Sequence, residues 1–285
     1  MAMKRILVVS GSRADSGMLE WPIKVLGEHF EIDLLKIWGT SVALAYSTVQ
    51  THLDATKPDL LMVLGDRFEI LAAATAAHLK RIPIAHLCGG DVTLGSYDDA
   101  MRDAISRMAT YHFVTSTSAM ARLTHFGFTN IHLVGSTGID YIKHADWKKA
   151  RPYAEPYVVV SYQAETIDGT NDIVKVFSLL DSKTRSVFIL PNNDRGNDVI
   201  YSSIMAYAAM TKNCVVNEML PHGEFLNLLK HCECFIGNSS AMLYEAPELG
   251  IKTHMIGKRQ RGRVIPMGDG LASKRICDIL RYTLT

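Results

Sequence analysis

Short apolar runs rich in β-branched residues alternate with helix-length segments along almost the whole chain. In the first half, the predicted strands are residues 5–10, 31–36, 60–64, 82–87, 111–115 and 131–134. An Ala- and Leu-rich segment at residues 68–80 is typical of the helices between them. Such alternation indicates βαβ units around a parallel sheet. The sequence therefore predicts an α/β fold with doubly wound sheets.

The alternation pauses once, at residues 150–157, where the sequence ARPYAEPY lacks apolar periodicity and indicates a linker. A second series of predicted strands follows, at residues 157–161, 186–190, 213–216, 234–236 and 253–256, and residues 271–284 are predicted to form a final helix. We therefore expect two Rossmann-like domains, residues 1–150 and 151–285, with a cleft between them. In such sheets ligands bind beyond the carboxyl ends of the strands.

Composition excludes several classes of protein. The 285 residues include 30 basic and 29 acidic side chains, so we expect no nucleic-acid partner. No apolar run approaches the ~20 residues of a membrane span, so no membrane association is expected. Five cysteines, an odd and sparse set, favour reduced thiols in a cytoplasmic protein. The pair Cys232 and Cys234 lacks a second pair or a His cluster, so no metal site is predicted.

The sequence GNSSAMLYEAPELG at residues 237–250 predicts a phosphate site. A strand is expected to end at Gly237 and a helix to begin near Ser239 and Ser240. Unpaired N–H groups and the helix dipole favour an anion at such a helix start. Glu245 follows nearly two turns later, a spacing that suits a carboxylate binding ribose. These features favour a nucleotide or nucleotide sugar, but an ordinary serine-capped helix explains the same residues, and the sequence leaves both open.

The first predicted strand leads into a Gly- and Ser-rich turn that opens a helix. Residues 10–17 read SGSRADSG and include Arg13 and Ser16. A turn of this composition with an Arg suits a phosphate or a phosphate-bearing leaving group. The turn matches neither a Walker A motif nor GxGxxG, so it is weak support by itself.

Carboxylates follow the next strands of the predicted first sheet. Asp66 and Arg67 come after the third strand, Asp91 after the fourth, and Asp98 opens the following helix. Neighbouring carboxylates shift each other's pKa, so that one can stay protonated as an acid. We therefore expect acid–base chemistry here. For Asp98 taken alone, a simple capping role at the helix start is an equal alternative.

Polar residues follow the strands of the predicted second sheet in the same way. They are Tyr162, Gln163 and Glu165 after its first strand, then Asn192, Asn193 and Asp194, and finally the cations Lys258, Arg259, Arg261 and Arg263. The asparagines and Asp194 suit a sugar or base but also suit a turn. The four cations in a Gly-flanked loop favour an anionic ligand over a solvated loop.

The motifs resemble, in order, those of the UDP-N-acetylglucosamine 2-epimerases, especially the hydrolysing branch that feeds sialic acid synthesis. The matching pieces are GSRAD, LGDRFEILAAATAA, IPIAH-x-x-GGD, GSYDDAMRDAISRMATYHF, LPNNDRG and GNSSAMLYEA. The resemblance implies two Rossmann-like domains of the glycosyltransferase-B type, a final helix that crosses back to the first domain, and a homodimer. It also implies a UDP-sugar substrate and no metal or redox cofactor.

The reaction that the resemblance implies is an elimination followed by a hydration. A base takes the C2 proton of the sugar, UDP leaves from C1, and hydrolysing members add water to the glycal to release N-acetylmannosamine. By position, the resemblance matches Asp66 and Asp98 to family carboxylates and Gln163 to the family histidine, and with Asp91, which follows the fourth predicted strand, these are the catalytic candidates. The resemblance also matches Arg13, Ser239, Ser240, Glu245 and Arg263 to residues that bind the substrate. Ser16, Arg67, Asn192 and Asp194, which follow predicted strands, complete the substrate-binding candidates.

Three departures from the family pattern keep other functions open. Cys88 replaces a common glutamate or histidine, Gln163 replaces the family histidine, and the chain is shorter between Trp38 and Lys57. A carboxamide takes up no proton at neutral pH, so Asp91, Glu165 or Tyr162 would have to substitute for the histidine. The alternatives are a nucleotide-sugar hydrolase, a 2-epimerase for a different amino sugar, and a non-catalytic nucleotide-sugar binder.

Overall fold

The chain forms two compact α/β units. The computed structural model describes residues 3–284 except 168, 170, 193 and 267, and it does not describe the side chains of residues 13 and 14. The first unit contains the chain up to Val92, Asp98–Ala145 and the chain from Val264 on. The second contains Thr93–Tyr97 and Asp146–Arg263. The predicted domain boundary at residue 150 stays a prediction.

The first unit is a parallel sheet with helices on both faces. Its strands are β1 (Arg5–Ser10), β2 (Glu31–Lys36), β3 (Leu60–Leu64), β4 (Ile84–Leu87), β5 (Tyr111–Val114) and β6 (Ile131–Leu133). The strand order is β2-β1-β3-β4-β5-β6. The connecting helices are α1 (Arg13–Leu26), α2 (Val42–Thr56), α3 (Phe68–Leu79), α4 (Asp99–Met108), α5 (Thr117–His125) and α6 (Thr137–His144).

Alternate residues of β1 enter two separate cores. Ile6 and Val8 of β1 belong to one apolar cluster, and Leu7 and Val9 belong to another that includes residues of α2 and α3. This division follows from the strand period of two. A strand that is covered on both faces has a continuous run of apolar residues. Each fully buried Val, Leu or Ile side chain contributes about 1.5–3 kcal/mol to the free energy of unfolding.

The second unit is a smaller parallel sheet. Its strands are β7 (Tyr157–Ser161), β8 (Arg185–Ile189), β9 (Cys214–Asn217), β10 (Cys234–Gly237) and β11 (Thr253–Met255), in the order β11-β10-β7-β8-β9. Its helices are α7 (Ile173–Ser178), α8 (Asn197–Met210), α9 (His222–Lys230) and α10 (Ala241–Leu249). The prediction of two doubly wound α/β sheets is confirmed.

Both sheets reverse their winding beside their first strand. The chain moves from β1 to β2 on one side and then to β3 on the other, and it moves from β7 to β8 and β9 before returning to β10. Gly237, at the end of β10, has φ +139°, and a Cβ atom there would overlap the carbonyl oxygen of Ser161 at the end of β7. Only glycine permits so close an approach. Ligand sites in this fold class occur at such switch points.

The final helix, α11 (Ala272–Thr283), packs on the first unit. Ala272, Ile276 and Leu280 lie four residues apart and join the core cluster that contains Ile6. The carboxylate of Asp140 on α6 accepts hydrogen bonds from the N–H groups of the first two residues of α11, over 3.1 and 2.5 Å. A carboxylate at that end complements the helix dipole. No helix in the described part of the chain is long and apolar enough to span a membrane.

Because two imidazoles are buried, we expect the protein to lose stability in mild acid. Burial lowers the pKa of His86 on β4 and of His112 on β5 from 6.5 to about 4. The unfolded chain binds these protons near pH 6.5, so the free energy of unfolding falls between about pH 6.5 and pH 4 and levels off below. A shift of this size corresponds to about 3 kcal/mol for each group.

Urea denaturation at pH 7 and pH 5 measures this loss. His112→Phe keeps an aromatic ring 5.0 Å from that of Phe128, and Nδ1 of His112 has no hydrogen-bond partner among the described residues. The variant should therefore reduce the difference between the two pH values. His78→Phe, at an exposed position on α3, is the control and should leave it unchanged. Equal pH dependence in H112F and the parent would contradict the prediction.

Candidate active site

A buried guanidinium organises the carboxylates of the first unit. The side chain of Arg102 on α4 is 2% exposed and forms ion pairs with Asp66 and Asp99. Its Nη1 atom also donates a hydrogen bond to the backbone oxygen of Asp91 over 2.7 Å. One cation thus joins the residue after β3 to the connection between β4 and α4. The structure thereby brings the predicted residues Asp66 and Asp91 to the same place.

Asp91 and Asp98 are held in different ways. Oδ1 of Asp91 accepts a hydrogen bond from Oγ1 of Thr115, just after β5, over 2.9 Å. Asp98 occupies the N-cap position of α4, where its backbone oxygen accepts the N–H of Arg102, but its carboxylate makes no capping hydrogen bond. A capping hydrogen bond therefore does not hold the carboxylate of Asp98, and its position at the helix start still suits the helix dipole.

His86 supports this cluster without titrating near neutral pH. Its Nε2 atom lies 2.8 Å from the carbonyl oxygen of Gly65, which can only accept, so Nε2 carries the proton. Nδ1 then accepts from the hydroxyl of Ser106 on α4, over 3.0 Å. Burial lowers the pKa of His86 to about 4. A neutral imidazole thus links β4, α4 and the residue before Asp66.

The loop after β1 is held by hydroxyl groups. Oγ of Ser10 is buried, donates to the backbone oxygen of Ser12 over 2.8 Å, and lies 3.1 Å from Oγ of Ser16. The indole N–H of Trp38 donates to the same oxygen over 2.9 Å. Ser16, a predicted substrate ligand, is therefore part of the loop's own hydrogen-bond network. The side chain of Arg13 lies outside the described residues.

The predicted ligand Arg67 has an internal counter-ion. Its Nε and Nη2 atoms donate to the carboxylate of the buried Glu69 over 3.2 and 3.3 Å. Nearby, burial raises the pKa of Asp15 to about 6, although hydrogen bonds from Ser12 and Gly11 and the charge of Arg67 oppose the shift. The charge of Arg67 is thus compensated by the first unit itself.

A buried carboxamide network joins the strand ends of the second unit. Oε1 of Gln163 accepts the backbone N–H of Asn192 over 2.8 Å, and Nε2 donates to Oγ of Ser161 over 3.3 Å. The side chain of Asn238 exchanges two hydrogen bonds with the backbone of Gln163, over 2.6 and 2.9 Å. Gln260 donates to the backbone oxygen of Asn238 over 2.8 Å. Both polar atoms of the Gln163 side chain are therefore committed, and neither titrates.

The neighbours considered as substitutes for a histidine also have structural partners. The hydroxyl of Tyr162 accepts the backbone N–H of Asp172 over 2.9 Å, and burial raises its pKa to about 12. Oε1 of Glu165, which is 5% exposed, accepts the backbone N–H of Lys258 over 2.7 Å. These contacts tie the end of β7 to α7 and to the loop after β11.

The serine pair lies at the start of α10, as predicted. Ser240 is the N-cap residue but makes no side-chain capping hydrogen bond, and Oγ of Ser239 accepts the N–H of Ala241 over 3.3 Å. Further along the helix, Oε1 of Glu245 lies 3.9 Å from Nε2 of His222. Oε2 of Glu245 is buried and has no hydrogen-bond partner among the described residues.

Two of the predicted cations are tied into the second unit. Arg259 forms an ion pair with Asp194 over 2.8 Å. Arg263 donates from Nη1 to the hydroxyl of Tyr244 over 2.7 Å and from Nε to Oγ1 of Thr93 over 2.9 Å. The side chains of the other two cations, at positions 258 and 261, are exposed. The loop therefore contains two kinds of cation. Arg259 and Arg263 are bound within the second unit, and the other two side chains face solvent.

Arg102, Asn238 and Thr93 carry much of this organisation. Arg102 stands with Asp98 and Asp99 at a predicted helix start but received no role from the sequence, and the other two were not predicted. For Arg102 a signal existed, because Asp98 and Asp99 precede it by four and three residues on one helix. No local pattern marks the other two, whose partners are distant in sequence. Asn193, a predicted sugar or base ligand, lies outside the described residues. Among the described residues, no group of three or more His, Cys, Asp or Glu side chains could hold a metal ion.

The two sheets and their strand-end polar residues define a class, the two-domain Rossmann-like proteins of the glycosyltransferase-B type. The family model of UDP-N-acetylglucosamine 2-epimerase matches residues 2–266. The chain therefore belongs to the UDP-N-acetylglucosamine 2-epimerase family, and the predicted family is confirmed.

Curated relatives share about a quarter to a third of their aligned residues with this chain. A GDP/UDP-N,N'-diacetylbacillosamine 2-epimerase (hydrolyzing) of Campylobacter jejuni is 30% identical, over 79% of this chain and 62% of the relative. The chain thus spans less than two thirds of that relative's length. The polysialic acid biosynthesis protein P7 of Escherichia coli is 28% identical, over 92% of this chain and 81% of the relative. A UDP-N-acetylglucosamine 2-epimerase of Neisseria meningitidis is 27% identical with the same coverage.

Solved structures share the fold across nearly the whole chain. A UDP-N-acetylglucosamine 2-epimerase of Methanocaldococcus jannaschii, in complex with UDP-GlcNAc and UDP, has a TM-score of 0.80 at 17% identity and covers 98% of this chain and 99% of its own. The enzyme of Neisseria meningitidis bound to UDP-GlcNAc has a TM-score of 0.77 at 17% identity and covers 98% of this chain and 100% of its own. At this identity the likeness establishes the fold alone.

Removing the guanidinium of Arg102 should destabilise the protein strongly. Arg102→Met leaves the carboxylates of Asp66 and Asp99 without their buried cation, a loss that costs about 3–5 kcal/mol of unfolding free energy. Arg122→Met is the matched control, because Arg122 pairs with Asp103 through two hydrogen bonds at a more exposed position. The control should cost at most about 1 kcal/mol.

Urea denaturation of the two variants and the parent at pH 7 measures both losses. Equal losses for R102M and R122M would show that Arg102 is an ordinary surface cation and would contradict the organisation described above.

Proposed function

We propose that this protein is a hydrolysing UDP-N-acetylglucosamine 2-epimerase that releases UDP and N-acetylmannosamine. A base takes the C2 proton, the C1–O bond breaks with its electron pair leaving on UDP, and a C1=C2 double bond forms. Water then supplies a hydroxyl to C1 and a proton returns to the opposite face of C2. The observation that carries the proposal is the buried Arg102, which pairs with Asp66, binds the backbone of Asp91 and lies on the helix that Asp98 begins, in a chain of this family.

The partners of the carboxylates suggest different roles for them. Asp66 forms an ion pair with Arg102, which favours its anionic form and makes it a weaker base. We assign Asp66 to orientation and to stabilisation of positive charge on the sugar. The carboxylate of Asp98 makes no capping hydrogen bond and is our candidate for the base at C2. Asp91, which accepts a hydrogen bond from the Thr115 hydroxyl, is the candidate for the acid that returns a proton to C2.

The second unit is proposed to hold UDP. The N–H groups at the start of α10 and the hydroxyls of Ser239 and Ser240 suit the diphosphate. Glu245, whose Oε2 atom has no partner among the described residues, suits the ribose hydroxyls. Arg263 is proposed to contact the diphosphate, with its Nε and Nη1 atoms oriented by Thr93 and Tyr244. Two solved structures of similar fold, one bound to UDP-GlcNAc and the other to UDP-GlcNAc and UDP, support this assignment.

The remaining predicted ligands have smaller proposed roles. Arg13 and Ser16 are proposed to contact the sugar or its leaving group from the first turn of α1. Arg67, Asn192 and Asp194 are engaged by Glu69, Gln163 and Arg259, so we assign them to shaping the site rather than to direct contact.

A second candidate is a hydrolysing 2-epimerase for a different amino sugar. Two of the relatives, from Campylobacter jejuni and Legionella pneumophila, carry the name of a diacetylbacillosamine 2-epimerase (hydrolyzing), at 30% and 25% identity. Gln163, fixed by Asn192 and Ser161, stands where the resemblance expects a histidine and favours altered chemistry at this point. Turnover of a diacetylated UDP-sugar, with none of UDP-N-acetylglucosamine, would support this candidate.

The central test is turnover in deuterated water. UDP-N-acetylglucosamine should give UDP and N-acetylmannosamine with deuterium at C2, seen by proton NMR. Asp98→Asn should lower turnover by about a hundredfold or more, because general base catalysis contributes 10²–10⁴-fold, while calorimetry should find UDP affinity unchanged. Asp54→Asn is the control, since Asp54 is 64% exposed on α2 and pairs with Lys80.

Each other outcome has a defined meaning. UDP release without deuterium at C2 would favour simple hydrolysis over elimination. UDP binding without turnover of either sugar would favour a non-catalytic binder. Normal turnover in D98N would reject the role given to Asp98. The homodimer and the cytoplasmic location implied by the resemblance and the cysteine content stay predictions, and light scattering would test the first.

A further inference from the structure

A five-residue segment leaves the first unit between two of the carboxylates. This segment, here called the strap, is Thr93–Tyr97 and belongs to the second compact unit. The chain before it, through Val92, and the chain after it, from Asp98, belong to the first unit. Asp91 lies two residues before the strap, and Asp98 follows it directly. Because successive Cα atoms are about 3.8 Å apart, a displaced strap displaces both neighbours.

Specific hydrogen bonds fix the strap on the loop after β11. The backbone N–H of Leu94 donates to the carbonyl oxygen of Arg261 over 2.8 Å. Nε of Arg263 donates to Oγ1 of Thr93 over 2.9 Å. The side chains of Thr93 and Ser96 are 3% and 4% exposed. Two side chains of the strap are therefore packed into the second unit, while Leu94 and Tyr97 are about half exposed.

The backbone of the strap touches the backbone of that loop. A Cβ atom at Gly95 would overlap the carbonyl oxygens of Lys258 and Arg259, so only glycine fits there. On the other side, Gly262 has φ +83°, and a Cβ atom there would lie 2.8 Å from Cγ of Leu94. Two backbones in direct contact fix the position of the strap more narrowly than side-chain packing does.

The guanidinium of Arg263 links the strap to the proposed diphosphate site. The same side chain that donates to Thr93 also donates from Nη1 to the hydroxyl of Tyr244 on α10, over 2.7 Å. Helix α10 starts directly after Ser239 and Ser240. The strap is thus held by the residues that surround the start of this helix.

We infer that Thr93 and Gly95 are positioning residues for the carboxylates. By anchoring the strap on residues 258–263, they set the placement of Asp91 and Asp98 at its two ends. This inference rests on the proposed function for its effect on turnover. Neither residue is proposed to contact the substrate. Both act by fixing the backbone that leads to Asp91 on one side and to Asp98 on the other.

Two strap variants and two matched controls test the inference. Gly95→Ala forces the strap away from the loop, and Thr93→Val removes the acceptor of Arg263 at nearly constant volume. Gly138→Ala is the first control, since a Cβ atom there meets only Met18 and Ser136 at 3.7 Å. Thr51→Val is the second, because Thr51 on α2 bonds only to its own helix in an exposed position.

Three measurements are compared on the full chain: hydrogen exchange at residues 89–102, kcat, and UDP affinity by calorimetry. Both strap variants should exchange faster in this segment and lose about tenfold or more in kcat, because small misplacements of catalytic groups are costly. Because Thr93 also orients Arg263, UDP affinity can fall in the strap variants, but the loss in kcat should be several times larger than the loss in affinity. The controls should equal the parent in all three measurements. If G95A does not fold, the nearly isosteric T93V carries the test.

Three results would overturn the inference: unchanged exchange in both strap variants, faster exchange with unchanged kcat, or a loss of kcat that parallels a loss of UDP affinity. The last result would assign the strap to nucleotide binding. A parent protein that turns over no nucleotide sugar would reject the proposed function instead. In that case the exchange comparison alone decides whether the strap places Asp91 and Asp98.

Discussion

Parallel pairing of strands that are buried on both faces is the constraint on which the rest of this structure depends. Every strand pair in both sheets is parallel, so every β–α connection begins at the same edge of its sheet. A buried strand accepts few polar residues, such as His86 on β4, and most of the others collect in these connections. The winding reversal beside β1 and β7 then brings loops from neighbouring strands together. Sites in both units follow from this topology.

The two units hold their strand ends by different chemistry. The first uses charge, because the buried guanidinium of Arg102 pairs with Asp66 and Asp99 and binds the backbone of Asp91. The second uses neutral carboxamides, because Gln163 and Asn238 exchange hydrogen bonds and join three strand ends. Charged groups can titrate and carboxamides cannot. Proton transfer is therefore better supported in the first unit, and binding of a polar ligand in the second.

Much of the fold could be predicted because strands and helices have local patterns. The apolar run before Gly237 and the serines after it predicted the end of β10 and the start of α10, which the structure has at Gly237 and Ala241. Prediction was weaker where one residue suits two roles. Asp98 fits a helix cap as well as a catalytic group, and only the structure shows that its carboxylate makes no capping hydrogen bond.

The sequence by itself determined the two doubly wound sheets, the family, and which strand ends carry polar residues, because these depend on periodicity and on motifs within a few residues. Only the tertiary structure decided the partners of those residues. Arg263 meets Thr93 across 170 positions, Ala272 meets Asp140 across 132, and Gln163 meets Asn238 across 75. Hydrogen bonds form between groups that the folded backbone brings within about 3 Å, and no pattern within a few residues encodes that proximity.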